Sequence, residues 1–451
     1  MAEEERTPLR RVVMASLIGT TIEWYDFFLY GSAAALVFNR LFFPEYDPLV
    51  GTLLAFATYA VGFVARPLGG IVCGHYGDRV GRKAMLVITL MLMGLSTAAI
   101  GLLPTYATIG VWAPVLLTLL RFVPGFSFGG ELGGAALLTV EHAPRERRGF
   151  WGSIPFVGSL VGQGVSTAVL LAAAVTMSDE AFVAWGWRIA FVFSLVMVAV
   201  GLFIRLKVIE SPVFRTVQRE RRVAHRPLVD ALRAHGRQLV LNTGLHFGVT
   251  VAFFVNSVFV VSYVTTTLEL SRTMILLAVI LAQVVFVGVQ IGAGALSDRV
   301  GRRPVYTAGA LWIAAMAVPY VLLLDTREPA LIWIALILLG TGVYLMYGPQ
   351  PAFFTELFPA AVRYTAFSLP VAVATILGGS TAPIVATTLV EWGSGTTWLV
   401  SAYLVLTGLV TAVCALLTHE TAPRRAEPPA PSPRTGRFSR AEGGVTVSDR
   451  Q

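Results

Sequence analysis

Glu23 and Asp26 stand one helical turn apart inside an apolar run covering 15–38, so they share a helix face with Gly19, Thr20 and Tyr30. A carboxylate in hydrocarbon is costly unless it is paired, hydrated or protonated. Two close acids in a low dielectric resist ionising together, so such a pair can take a proton from one side and release it to the other. The alternative is structural: an ion pair or hydrogen bond that locks the helix. Two arginines share this setting. Arg121 is followed by Gly125 and Gly129, which leave room for a neighbouring backbone, and it is the natural counter-charge for the acids unless it only fixes packing. Arg66 precedes the helix-kinking Pro67 and either binds a substrate carboxylate or pairs with Glu23 or Glu131. Uncharged polar groups recur in other apolar runs: Gln163, His246, Asn256, Gln283, Gln290, Tyr344, Tyr347 and Gln350. Of these, Gln163, Tyr347 and His246, with Tyr30, are the candidates for substrate contact, and His246 is also a candidate proton relay, although each alone is more often a packing residue.

The elements that must position these groups follow from composition. The chain has 451 residues, 55% apolar and 13% charged, a mean hydropathy of +0.72 and a formal charge of +8. No water-soluble fold has the interior to hide that much hydrocarbon, and a disordered chain is excluded by the same figures. Twelve apolar stretches, 15–38, 49–75, 84–103, 110–139, 150–175, 183–206, 238–265, 273–297, 304–324, 330–354, 366–390 and 397–418, each match a bilayer crossing. Most of the 34 Lys and Arg fall in the termini and in the loops on one side, whereas the opposite loops hold Arg40, Arg272 and Arg327. The positive-inside rule then puts both termini in the cytoplasm, and the basicity reports topology rather than nucleic-acid binding.

Other chemistries lack their residues. Cys73 and Cys414 lie in apolar runs, so neither a disulfide framework nor a cysteine zinc site is expected. The lysines, Lys83 and Lys207, follow Arg82 and Leu206, which excludes a P-loop. With no His-Glu-x-x-His and no convincing nucleophile–base pair, no enzyme, metal or cofactor is expected. The polar start and the acids in the first run argue against a cleaved signal peptide.

The chain also repeats itself. Gly74-His75-Tyr76-Gly77-Asp78-Arg79-Val80-Gly81-Arg82-Lys83 returns as Gly294-Ala295-Leu296-Ser297-Asp298-Arg299-Val300-Gly301-Arg302-Arg303. Glu141-x-x-Pro144-x-x-x-Arg148 returns as Glu356-x-x-Pro359-x-x-x-Arg363. The repeat predicts an all-α membrane protein of two pseudo-symmetric six-helix halves. Its division is an N-terminal segment 1–14, halves at 15–206 and 238–418, a basic linker 207–237, and a Pro/Arg/Ser/Gly-rich disordered tail 419–451.

Asp-Arg-x-Gly-Arg-Arg/Lys after the second and eighth stretches resembles the signature of the major facilitator superfamily, and Arg121-x-x-x-Gly125-x-x-x-Gly129 resembles its second motif. Glu23-Trp24-Tyr25-Asp26-Phe27, Arg66-Pro67-Leu68-Gly69-Gly70, Gly125-Phe126-Ser127-x-Gly129-Gly130-Glu131 and Trp185-Gly186-Trp187-Arg188 are similar to the metabolite:proton symporter family within it. That family carries 2-oxoglutarate, citrate, shikimate, and proline or betaine. In the superfamily's sugar/proton symporters an acid in helix 1 couples to the helix-4 arginine, and Asp26 and Arg121 occupy the matching places. The resemblance therefore implies proton coupling through Asp26, Glu23 and Arg121. It implies gating bridges among Asp78, Arg79, Arg82, Asp298, Arg299, Arg302, Glu141, Arg148, Glu356 and Arg363, with Glu131 stabilising the gate. As exposed or semi-exposed contacts each would be worth about 1 kcal/mol or less, unless the loops are only a solvated basic face. The family's osmosensor carries a C-terminal coiled coil that 419–451 cannot form, so osmosensing of that kind is not expected. The expected function is proton-coupled uptake of a small organic acid or zwitterion by alternating access, by a monomer in the cell's inner or plasma membrane. Proton-driven export and a transporter-fold sensor are the alternatives.

Overall fold

The computed structural model describes residues 9–80, 82–129, 139–207, 227–359 and 363–422. A long apolar run in a bilayer has no water for its backbone, so it closes its own hydrogen-bond ladder as a helix. The long helices are α1 (Leu9–Ala33), α2 (Pro48–Val80), α3 (Arg82–Leu102), α4 (Trp112–Gly129), α5 (Arg148–Thr176), α6 (Trp187–Lys207), α7 (Pro227–Phe254), α8 (Arg272–Val300), α9 (Arg302–Asp325), α10 (Pro329–Tyr347, continued as Gln350–Glu356), α11 (Arg363–Ala374, continued to Trp392) and α12 (Trp398–Leu417). Among the described residues, nine helical segments are long and apolar enough to cross a membrane, and α3 and α4 contain shorter apolar helices, Val87–Leu102 and Trp112–Phe128. With α1, which carries the two acids, each apolar stretch of the sequence holds a helix. The ends differ from expectation. α1 already begins at Leu9, and α7 begins at Pro227 and bends at His235, inside the expected linker.

The packing repeats as the loops do. α1 pairs with α5, α2 with α4 and α3 with α6; α7 pairs with α11, α8 with α10 and α9 with α12. Across the halves α5 lies on α8 and α2 on α11. Small residues permit this approach: Gly125 sits against the Gly62 carbonyl, and Gly149 and Gly294 each face the other's carbonyl, where a Cβ would strike backbone. α1 and α5 run in the same direction, because Gly158 lies at Leu17–Thr21 and Gly162 at Thr21–Tyr25. The start of α1, the start of α5, the α8–α9 turn and the residues after α12 therefore share one face. Leu95, Leu119, Val284, Leu322 and Leu406 are exposed on the outside, as a lipid-facing surface requires, and Trp112, Trp185, Trp392 and Trp398 are exposed toward the opposite face, where an aromatic belt belongs. π-helical turns interrupt the rods at Ala34–Phe38, Val255–Phe259, Tyr263–Thr267 and Thr375–Ser380; each adds a residue to a turn and shifts the face that follows.

Candidate functional site

α1 turns Asp26 toward α3 and α4. Arg121 Nη1 donates to Asp26 Oδ2 at 3.0 Å, and the Thr97 hydroxyl of α3 donates to Oδ1. Arg121 is fully buried and Asp26 is 3% exposed. The Arg121 guanidinium carbon also lies 4.3 Å from the Phe27 ring centroid and 4.5 Å from that of Tyr30. Tyr30 therefore contributes its ring face, while its hydroxyl is engaged with Thr58 Oγ1 at 2.7 Å. Gly62 makes room, since a Cβ there would come within 2.9 Å of Arg121 Nε. A buried pair of this kind holds only while both partners remain charged and bonded.

Arg66 sits on the other side of the same phenylalanine. Its guanidinium carbon is 4.0 Å from the Phe128 centroid, 4.1 Å from Phe27 and 4.5 Å from Phe63, and the residue is 4% exposed. Cation–π contacts satisfy the faces of the guanidinium. Its Nε and Nη2 have no hydrogen-bond partner. Glu23, Tyr59, Tyr347 and His246 are all near enough to interact with Arg66 electrostatically. Glu23 itself is buried and lines a small gap with Thr89, Met93 and Ser127.

The polar Glu23/Asp26 stripe of α1, which the sequence alone would place along a central cavity, instead faces α3 and α4 of its own half. Asp26 points into the first half, because α3 and α4 supply its donors. The residues α1 presents to the second half are Trp24 and Phe28, whose rings lie 5.6 and 5.4 Å from Phe253.

The central cavity lies between α5, α7, α8 and α10. Gln163, Asn256, Gln283, Phe253, Phe286 and Tyr344 line it, and its volume is about 10 Å³, room for about one water. Gln283 Nε2 donates to Gln163 Oε1 at 2.9 Å across the two halves, and Asn256 Nδ2 donates to the Leu336 carbonyl at 3.2 Å. His246 Nδ1 is 3.1 Å from Gln350 Nε2, with Tyr347 edge-on to its ring. Thus Gln163 borders the cavity, whereas Tyr347 and His246 form a separate cluster in the second half. Among the described residues no group of His, Cys, Asp and Glu could hold a metal ion.

Both ends of the molecule are bridged. On the face that carries the described chain ends, Asp298 accepts from the backbone N–H groups of Gly149 and Phe150 at 2.8 and 2.9 Å, the first turn of α5, where a helix favours an anion. Arg302 donates to Asp298 at 2.6 Å and to Glu356 at 3.4 Å. The repeated acid–arginine motifs pair crosswise: Arg148 lies 3.8 Å from Glu356, and Arg363 lies 3.0 Å from Glu141. Part of this network is buried, where the sequence suggested exposed or semi-exposed bridges. Arg302 is wholly buried and Asp298 and Glu356 nearly so, because the close glycine contact of α5 and α8 shuts out water. Of these described bridges, Arg363–Glu141 is the surface pair. The tail also departs from expectation at its root. Glu420 accepts from the backbone N–H groups of Arg302 and Arg303 at 2.8 and 3.1 Å, and Thr421 donates to Glu356 at 2.9 Å.

At the opposite face Arg272 Nη1 meets Asp179 Oδ1 at 3.1 Å, and the arginine lies 4.3 Å above the Phe182 ring. This bridge, Thr97 and the Glu420 contact were not singled out in the sequence. The scarcity of charge on that side, with Arg272 one of few basic residues, was the one available signal. The side chains of Asp78, Arg79 and Arg82, and all of Glu131, lie outside the described residues. Arg299 is described, but no role follows from its surroundings.

The model of the Major Facilitator Superfamily matches residues 16–374. The chain belongs to the major facilitator superfamily. It is 43% identical over 432 residues to the inner membrane metabolite transport protein YhjE of Escherichia coli K12, covering 93% of this chain and 97% of that one. It is 38% identical to the shikimate transporter of the same organism, covering 91% and 95%, and 33% identical to the proline/betaine transporter of Salmonella typhimurium, covering 92% and 84%. The fold matches the proton:xylose symporter XylE with a TM-score of 0.70 over 92% of this chain and 96% of that one, at 19% identity. This major facilitator protein is a multi-pass metabolite transporter, not an enzyme.

Proposed function

We propose that this transporter is a proton-coupled symporter that takes up a small organic acid or zwitterionic metabolite by alternating access. The observation that carries the reading is the Asp26–Arg121–Thr97 contact, a titratable acid bound to a cation in the middle of the first half. While Asp26 is ionised it holds Arg121. Protonation cancels that attraction and frees the guanidinium for an anionic group on the substrate, and Glu23 belongs to the same proton site. Arg66, Tyr30 and Gln163 complete the substrate side, with Tyr347 and His246 across from them.

The halves 15–206 and 238–418 rock about the cavity. The basic face of Arg145, Arg147, Arg148, Arg299, Arg302, Arg303 and Arg363 is assigned to the cytoplasm of an inner membrane. The network of Asp298, Arg302, Glu356, Arg148, Glu141 and Arg363 is then the inner gate. The motif resemblance alone assigns Asp78, Arg79, Arg82, Arg299 and Glu131 to the same gate. Bridges at both ends and a cavity that holds about one water suit the closed intermediate through which such a cycle passes.

The test is uptake of an organic-acid and zwitterion panel into proteoliposomes, with and without an inward proton gradient. At least one compound should accumulate only with the gradient. Efflux driven by the same gradient would instead make the protein an exporter, and binding without movement would make it a sensor.

A further inference from the structure

We propose, resting on the symport reading above, that Gln163 and Gln283 are the positioning pair that closes the carrier for its return without cargo. Bonded to each other they stand in for the cargo, and cargo loads by taking the place of Gln283 on Gln163.

α8 turns one stripe toward the first half. Arg272, Gln283, Gln290 and Asp298 follow one another at 11, 7 and 8 residues, close to whole numbers of helical turns, so all four share a face. Each finds its partner on or beside α5: Asp179 for Arg272, the Gln163 side chain for Gln283, the Ser153 carbonyl for Gln290, and the first backbone N–H groups of α5 for Asp298. The contacts of Arg272 and Asp298 lie at the mouths and part as each mouth opens. Gln283 lies about 17 Å along the helix from Arg272 and about 23 Å from Asp298, at the level of the cavity that it lines with Gln163. Gln283 Nε2 donates to Gln163 Oε1 at 2.9 Å, and both residues are buried. About 10 Å³ is left beside the bond, so a metabolite fits only when the two amides part.

A symporter crosses the membrane twice in each cycle, once loaded and once bare. Bare closure takes cavity polar groups out of water, which is costly unless another polar group replaces the water. Gln163 and Gln283 do this for each other across the halves, and Asn256 does it within the second half through the Leu336 carbonyl. Phe286 stacks on Tyr344 at 4.6 Å and fills the space beside Gly340, so the rest of the wall closes by apolar contact. In the same arrangement Arg121 holds Asp26, the pairing that the symport reading gives to the carrier after its proton has left. Gln283 Oε1 is left without a partner, so bare closure is imperfect and yields to cargo that serves both amides.

The test is a double-mutant cycle on the opening equilibrium, measured without cargo. Spin labels on Thr108→Cys and Glu328→Cys report the Trp185 face, and labels on Glu146→Cys and Ala234→Cys report the opposite one; all four residues are exposed. Cys73 and Cys414 are replaced by alanine. Distance distributions for the purified full chain in lipid nanodiscs give the ratio of closed to open protein for wild type, Gln163→Ala, Gln283→Ala and the double variant. Wild type should be closed about fivefold more than independent effects of the two substitutions predict, the worth of one hydrogen bond made only in the closed form. Coupling below about twofold, or of the opposite sign, overturns the proposal. If an alanine variant does not fold, Gln163→Met and Gln283→Met replace it, with the same expectation. A second readout comes from any compound that accumulates in the proteoliposome panel. Gln283→Ala should slow its net uptake about fivefold more than its exchange, and an equal loss of both overturns the proposal. Failure of the transport reading looks different: the coupling is present, yet no compound crosses the bilayer.

Discussion

Asp26, Arg121 and Thr97 make one unit, since each buried charge is tolerable only through the others. Arg121→Leu strands the Asp26 carboxylate and should cost about 3–5 kcal/mol in thermal unfolding of the purified protein. Adding Asp26→Leu should recover part of that loss, a non-additivity expected of residues in direct contact. Independent, additive losses would show that the pair is not coupled. Arg66→Lys keeps the charge but loses the planar fork, so the apparent affinity for an anionic substrate should fall about tenfold or more with little change in stability. Asp26 and Arg121 were legible in the sequence because a charge in a hydrocarbon run must find a partner. Thr97 was not, since a single threonine in a helix is ordinary until a carboxylate is found beside it. The direction of Asp26 was also hidden: periodicity gave the shared face of α1 but not which neighbour that face meets.

At the level of elements, the helices were readable from the length of their apolar runs, and the pairing of the halves from the duplicated loops. Helix ends were less so. Leu9 and Pro227 start helices in polar sequence, where no apolar run marks the boundary. The π-helical turns left no signature, because one extra residue in a turn arises from packing rather than composition. Glycine at the α2–α4 contact is a sharper test. Gly125→Val would drive a side chain into the Gly62 carbonyl and should lower the melting temperature and the yield of folded protein, at a cost of about 1–3 kcal/mol or more. Gly236, which has open space around its Cβ position, is the control, and Gly236→Ala should leave melting unchanged.

Over the whole molecule, the two mouths are held by bridges of unequal strength. The Asp298–Arg302–Glu356 network is buried, whereas Arg272 meets an exposed Asp179, a pair worth about 1 kcal/mol or less. Asp179→Arg should therefore shift the protein toward a form open at the Trp185 face. This would be read as faster labelling of a cysteine placed in the cavity from that side. Arg272→Asp in the same chain should reverse the shift. The loops on the Arg302 face announced their network by repetition, while the Arg272–Asp179 bridge joins the starts of two helices that share no motif. The most direct measurement is the external pH of lightly buffered proteoliposomes as a transported acid is added at fixed membrane potential. Wild-type protein should draw protons inward with the substrate, and Asp26→Asn should exchange substrate without moving protons. Proton uptake by Asp26→Asn equal to that of the wild type would contradict the account.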